Sequence, residues 1–356
     1  MRRIFLFASS IVLLFVSCSK DNDKPEYDTL SFYVHGAGIQ MLQDETRAMY
    51  MKNKQIVQLP SISGESAIAS DIYVSGEDVY IIGATVEVED YSYTPVKAVL
   101  WKNGQLHELH TPASKSAVAQ AVFVSGNDVY VAGHYVPSAE NAKRQAVIWK
   151  NGVITQIGNS NINTRLEDIF VSGSDVYVVG YENQQGGIVS KYWKNGVEKV
   201  LSKAGITTYA KSIWVDNSDV YVVGYADATG DRSMKLWKNG VPTNLISGKS
   251  VIRGLSVTVE NGDVYATGYE QVGSNYVPRV FKNNELLPIQ HSNSGHTYAF
   301  STQVVEGNVY VSGQQDESGA LKQQIWENGQ EIELLTPTAT QIGLQSVFIV
   351  KKDLKP

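Results

Sequence analysis

The side chains best suited to chemistry near neutral pH are the six histidines, His35, His107, His110, His134, His291 and His296. Their spacing matches no metal-binding pattern. His107 and His110 share one short run and its exit, and His291 and His296 share one loop with Tyr298 beside them. No metal or other cofactor is expected. The adjacent acids Glu89-Asp90 and Asp316-Glu317 read as solvated charge, although a glycosidase can also assemble two carboxylates from segments far apart in sequence. A third group is more suggestive. His134, Tyr181, Tyr225 and Tyr269 each follow a glycine that closes a recurring phrase, with Tyr91, Tyr93, Tyr135 and Tyr276 a little further along. Tyrosine joins a large apolar ring to a hydrogen-bonding tip, which suits glycans and peptide chains. The same rings would equally serve as caps on a packed core.

Two phrases recur and define the elements that carry these residues. The first is VLWKNG (99–104), repeated as VIWKNG (147–152), KYWKNG (191–196), KLWKNG (235–240), RVFKNN (279–284) and QIWENG (324–329), with a worn copy MYMKNK at 49–54. The second is EDVYIIG (77–83), NDVYVAG (127–133), SDVYVVG (174–180 and 218–224), GDVYATG (262–268) and GNVYVSG (307–313), with SFYVHG (31–36) as a degraded copy. Aligned on their tyrosines from Tyr33 to Tyr310, the units lie 44 to 50 residues apart. A period of that length signals stacked modules.

Each full unit reads as four strands. Strand A is a β-branched and aromatic run such as DIYVSG (71–76), followed by a tight turn rich in Ser, Gly, Asn and Asp. Strand B ends on the glycine, a longer loop leads to strand C with its tryptophan, and Asn-Gly turns the chain into strand D. Seven such units predict an all-β fold, a seven-bladed β-propeller of four-stranded blades. The ends agree. The first unit lacks strand A, and SVFIVKKD (346–353) matches it, so the first blade is closed by the C-terminal strand and no free edge remains.

Five of the six tryptophans (Trp101, Trp149, Trp193, Trp237, Trp326) hold one repeat position, with Phe281 and Met51 in the other units. The sixth, Trp214, aligns with Tyr73, Phe123, Phe170 and Phe348 in strand A. A ligand touches a few blades, whereas packing is needed in every one, so these rings read as structure. Function is sought where the repeat varies. The B–C and D–A connections share one face, and the B–C segments 84–97, 134–145, 181–190, 225–233, 269–277 and 314–321 differ in length and content. On that face the entrances of the inner strands carry Asp71, Gln120, Glu167, Asp168, Lys211, Ser212, Arg253, Ser301 and Gln345, expected to ring the mouth of the axial channel. From these sets His134, Tyr181, Tyr225, Tyr269, Asp71, Asp168 and Lys211 are the candidate ligand-binding residues, and no residue is assigned a catalytic role.

The formal net charge is -6, and without Arg2 and Arg3 it is -8 (-6 minus 2). With no basic stripe, nucleic acid is excluded as a partner. Residues 4–16 carry no charge, too short a run to span a bilayer and the right length for a secretory segment. The single cysteine, Cys18, falls after Phe15-Val16-Ser17, and this resembles the lipobox of bacterial lipoproteins, with Phe15 where Leu is more usual. The resemblance implies a signal peptide over 1–17, an acyl anchor (palmitate) on Cys18, a disordered tether over 18–29 and a domain from 30 to 356. It places the protein at the cell envelope, on the outer membrane or cell surface, with the membrane as its partner. With one cysteine there is no disulfide, and the domain must be held by packing alone.

The order of strands resembles kelch-like propellers and the bacterial SBBP-type repeat, whose NVYV-G phrase is similar to GNVYVSG here. Neither the Ser-x-Asp-x-Gly-x-x-Trp boxes of sialidase-like propellers nor the cysteine–tyrosine pair of kelch-type copper oxidases is found. The sequence is therefore read as a non-enzymatic binding or scaffold module for glycans or proteins. The alternative is a surface glycan hydrolase or lyase with its site at the channel mouth. A deep pocket there holding two carboxylates, or Arg/His clusters, favours the enzyme; a shallow tyrosine-lined surface favours binding.

Overall fold

The computed structural model describes residues 32–41, 45–53, 55–62, 65–89, 92–202, 205–228, 231–292, 294–317, 320–332 and 342–351. The chain divides into Met1–Leu30 and Ser31–Pro356, and every described residue lies in the second unit. The expected signal peptide, Cys18 and the tether, like Tyr91, fall outside the described residues.

The second unit is a ring of seven antiparallel four-stranded sheets. The innermost strands are Ile342–Lys351 in the first blade, then Ser66–Ser75, Ser114–Ser125, Asn163–Ser172, Thr208–Asp216, Ile252–Glu260 and His296–Val305. Ile342–Lys351 pairs with Phe32–Met41 and packs against the inner strands of both the second and seventh blades, so the two ends of the domain close the ring. The tyrosine alignment is off by two residues in the first blade. Hydrogen-bond register there sets His35, not Tyr33, opposite Lys52 in the place Tyr80 holds opposite Lys102, and Gly38, not Gly36, matches Gly83.

The repeated aromatic position is core. Trp101, Trp149, Trp193, Trp237 and Trp326 are fully buried, with Phe281 and Met51 nearly so. Four of the indoles reach back to the preceding D–A connection: Nε1 donates to the carbonyls of Pro60, His110, Leu201 and Gln290 at 2.6–2.9 Å. These four tryptophans thus pin their blades to the ones before, whereas the Trp193 Nε1 makes no such bond. Around the channel Phe348, Tyr73, Phe123, Phe170 and Trp214 meet in sequence as tilted pairs with centroids 4.9–5.0 Å apart.

Most of the expected B–C loops are hairpins. Pairing continues past the glycine, with Tyr181 opposite Ser190, Tyr225 opposite Met234 and Tyr269 opposite Pro278. These arms satisfy each other's backbone groups and need only a short turn, as at the positive-φ Gly186 and Gly273. The third blade differs: strand B stops at Pro137, strand C starts at Gln145, and residues 138–144 form a true loop.

Candidate functional site

One irregularity positions the mouth. In each inner strand the pairing slips by one residue opposite the strand-B glycine. The glycine is required for contact, not for its dihedral angles: a Cβ on Gly83, Gly133, Gly180, Gly224, Gly268 or Gly313 would collide with the carbonyl oxygen of the facing inner strand. The extra residues in the seven bulges are Gln345, Ser70, Gln120, Glu167, Lys211, Leu255 and Phe300. Such bulges re-aim side chains.

The mouth has two unlike halves. Over the fourth to seventh blades lies a row of half-buried rings. Tyr181 meets Tyr209 edge-on at 5.2 Å, Tyr209 stacks on Tyr225 at 4.9 Å, and the Arg253 guanidinium covers Tyr225 at 4.3 Å. Beyond them Tyr269 contacts Tyr276 and Tyr298, and His296 leans on Tyr276. Arg253 is held by Asp227 at 3.3 Å, which also binds Arg232 at 2.6 Å. Burial pushes the Tyr181 phenol up to about 12, with the neighbouring Glu167 carboxylate adding to the effect.

Over the first to fourth blades lies a cavity of about 410 Å³, with Ser70, Gln120, Gln345, His134, Arg144 and Arg165 in its wall. Tyr93 and Pro95 stand at it too, with Ile68 and Val118 as apolar neighbours. Arg165 Nε lies 2.8 Å from Glu167 Oε1, near enough for an ion pair though out of line for a hydrogen bond. Arg165 also donates to Gln120 Oε1 at 3.1 Å, and Lys211 binds Glu167 at 2.5 Å. Arg144 has no carboxylate partner, and its buried Nε makes no hydrogen bond. Its backbone is nonetheless fixed: the N–H donates to Asn163 Oδ1 at 2.9 Å and the carbonyl accepts from Thr164 at 3.2 Å. His134 is buried with Nδ1 unpartnered. Burial, then the charges of Arg144 and Arg165, push it down to about 3. Arg165 and Lys211 thus share one carboxylate, and Arg144 stands beside them with none, in a chain that is acidic as a whole.

The candidate residues separate accordingly. Tyr181, Tyr225 and Tyr269 join one row; His134 lies in the cavity wall, and Lys211 bridges the two halves through Glu167. Asp71 and Asp168 latch the inner strands of neighbouring blades together. Asp71 accepts from the Val122 N–H at 2.9 Å and the Ser346 hydroxyl at 2.6 Å. Asp168 accepts from the Ile213 N–H and the Ser212 hydroxyl, both at 2.9 Å. Burial raises the two carboxyls to about 6 and about 7. Among the described residues no group of His, Cys, Asp and Glu is arranged to hold a metal. Sequence reading missed Arg144, Arg165 and Tyr209, and noted Tyr298 only as a neighbour of His291 and His296. Arg144 carried a signal, the Lys143-Arg144 pair in a B–C segment. Arg165, Tyr209 and Tyr298 are cross-strand partners of the residues after the glycines, visible only once the register is fixed.

The described residues define a seven-bladed β-propeller with a cationic cavity and an aromatic row at one mouth. No family model and no curated protein matches the chain. Among solved structures it is similar to an acylaminoacyl peptidase of Pyrococcus horikoshii (TM-score 0.51, 10% identity, 87% of this chain and 53% of that one). It is also similar to a puromycin-hydrolysing peptidase of Mycobacterium tuberculosis (TM-score 0.48, 12% identity, 85% and 55%). The chain spans about half the length of each, and the likeness to the first is one of fold.

Proposed function

We propose that the protein is a lipid-anchored module of the cell envelope that binds glycan chains on the B–C face of its propeller without cleaving them. The observation that carries this is the row of half-exposed rings from Tyr181 through Tyr209, Tyr225 and Tyr269 to Tyr298, backed by Arg253. Rings that pack on one another are ordered before a ligand arrives, so less entropy is lost on binding. Their phenol tips meet sugar hydroxyls while the faces cover the ring carbons. The anchor rests on the sequence alone, on the uncharged run 4–16 ending at Cys18.

The fold likeness to peptidases, and the Arg/His cluster at the mouth, bear on the alternative of a surface hydrolase or lyase. The chemistry of the cluster speaks for binding. A histidine held near pKa 3 is too weak a base to take a proton near neutrality, and Glu167 is shared between Arg165 and Lys211.

One experiment tests both parts. Membranes of cells making the full-length protein should retain it and capture polysaccharide. Cys18→Ser should release it. Tyr181→Ala/Tyr225→Ala/Tyr269→Ala should stay on the membrane, keep its melting temperature within a few degrees and lose capture. Unchanged capture by the triple variant would overturn the glycan reading, and new reducing ends on the polysaccharide would establish the hydrolase.

A further inference from the structure

We infer that the cavity over the first to fourth blades is a receptor for the carboxylate of an acidic sugar, a uronate in a glycan chain. This rests on the glycan reading and narrows it to a substrate class. Buried cations are normally paired, because removing a charge from water costs several kcal/mol unless a partner offsets it. Glu167, Asp227 and Glu270 each neutralise an arginine on this face: Arg165, Arg253 and Arg279. Arg144 breaks the pattern. Its guanidinium lines a cavity, has no carboxylate, and has a neighbouring cation in Arg165 that burial and repulsion make unfavourable. A planar guanidinium can grip a planar carboxylate with two parallel hydrogen bonds, and the backbone that carries this one is anchored at both N–H and carbonyl.

The rest of the wall is unsuited to a bare inorganic anion. His134 is neutral and offers an unpartnered Nδ1, and Gln345 is an exposed amide, both matched to sugar hydroxyls. Tyr93 is 40% exposed and, with Pro95, presents a flat apolar edge of the kind that covers a pyranose face. Ile68 and Val118 add apolar surface to the same wall. The volume falls in the range of small-molecule sites. Arg165, in the cavity wall, pairs across strands with Tyr181, where the aromatic row begins. A chain with an acidic residue in the cavity can therefore run on along the row.

The test titrates full-length protein with D-glucuronate, D-glucose and inorganic phosphate by calorimetry, and follows melting temperature with each. Glucuronate should bind and raise the melting temperature, with glucose and phosphate each weaker by about tenfold or more. Arg144→Gln should lower glucuronate affinity about ten- to a hundredfold, and Arg144→Lys less, because it keeps the charge and loses the fork. Unliganded Arg144→Gln should melt no lower than the parent, since it removes a cation repelled by Arg165; a structural arginine would behave oppositely. If Arg144→Gln does not fold, the ranking of the three probes on the parent and the Arg144→Lys affinity decide. Glucuronate binding no tighter than glucose, or phosphate binding as tightly as glucuronate, overturns the inference. Capture of neutral polysaccharide that depends on the tyrosine row would survive either result, so this failure is distinct from failure of the glycan reading.

Discussion

Asn103 shows why two phrases recur together. It sits at φ 51°, followed by Gly104 at 79°, the geometry of a two-residue hairpin turn. Its Oδ1 accepts the Val79 N–H at 2.8 Å and its Nδ2 donates to Asp78 at 2.7 Å. Lys102 pairs with the same Asp78 and lies over Tyr80. Asp-Val-Tyr and Lys-Asn-Gly are two halves of one clasp, repeated at Asn151, Asn195, Asn239 and Asn283. At the same scale, buried titratable groups set the pH response. His134, held at about 3, and His35, held at about 4 by burial and then Lys52, stay neutral in the folded state while the unfolded chain takes up protons. Their contribution is present above the ordinary value of 6.5 and is lost as pH falls toward 3–4. Asp168 acts oppositely. Raised from 3.8 to about 7, its contribution is full below 3.8 and lost as pH rises through 7. Melting temperature against pH should therefore flatten on the acid side in His134→Gln. It should fall less between pH 4 and pH 7 in Asp168→Ser, which carries the residue found at Ser212 and Ser256 in other blades. Curves parallel to the parent's would contradict both assignments.

The functional element is the inner strand with its bulge. The bulge exists because a glycine on strand B lets the inner carbonyl approach, and it delivers Glu167 to where Arg165 and Lys211 meet it. Gly180→Ala would put a Cβ onto the Arg165 carbonyl. Overfilling of this kind costs about 1–3 kcal/mol, and here it also displaces the strand that carries Arg165 and Glu167. The expected result is a lower melting temperature together with weaker glucuronate binding. A variant as stable as the parent would show that the bulge does not depend on the glycine.

The whole ring depends on one joint. Ser346 donates to Asp71 at 2.6 Å, and Gln303 of the seventh blade takes the Ile349 N–H at 2.7 Å and gives to its carbonyl at 2.9 Å. Leu344 and Ile349 are buried there. Removing residues 342–356 exposes the inner edge of the first blade and loses about 3–6 kcal/mol from those two side chains alone. The melting temperature should fall by more than about 5 °C. A loss of only a degree or two would mean that the ring closes without its last strand.

Blade count, strand order and the C-terminal closure were legible in the chain, because each rests on local chemistry that repeats: turn residues with positive φ, alternating apolar runs and a tryptophan in most blades. Register was legible only where the phrase was intact, so the first blade was misread by two residues when His35 took the tyrosine's place. The tyrosine row was half visible. Tyr181, Tyr225 and Tyr269 shared a sequence position, whereas Tyr209 and Tyr298 joined them through cross-strand pairing. Asp71 and Asp168 were legible as polar residues at the inner-strand entrances, but a sequence does not record which neighbour's N–H each one meets. Arg144 and Arg165 lie 21 positions apart (165 minus 144) in different blades. Only the packing of the fourth blade on the third, which ties the Arg144 backbone to Asn163 and Thr164, sets them on one cavity, a tertiary outcome that no local pattern encodes.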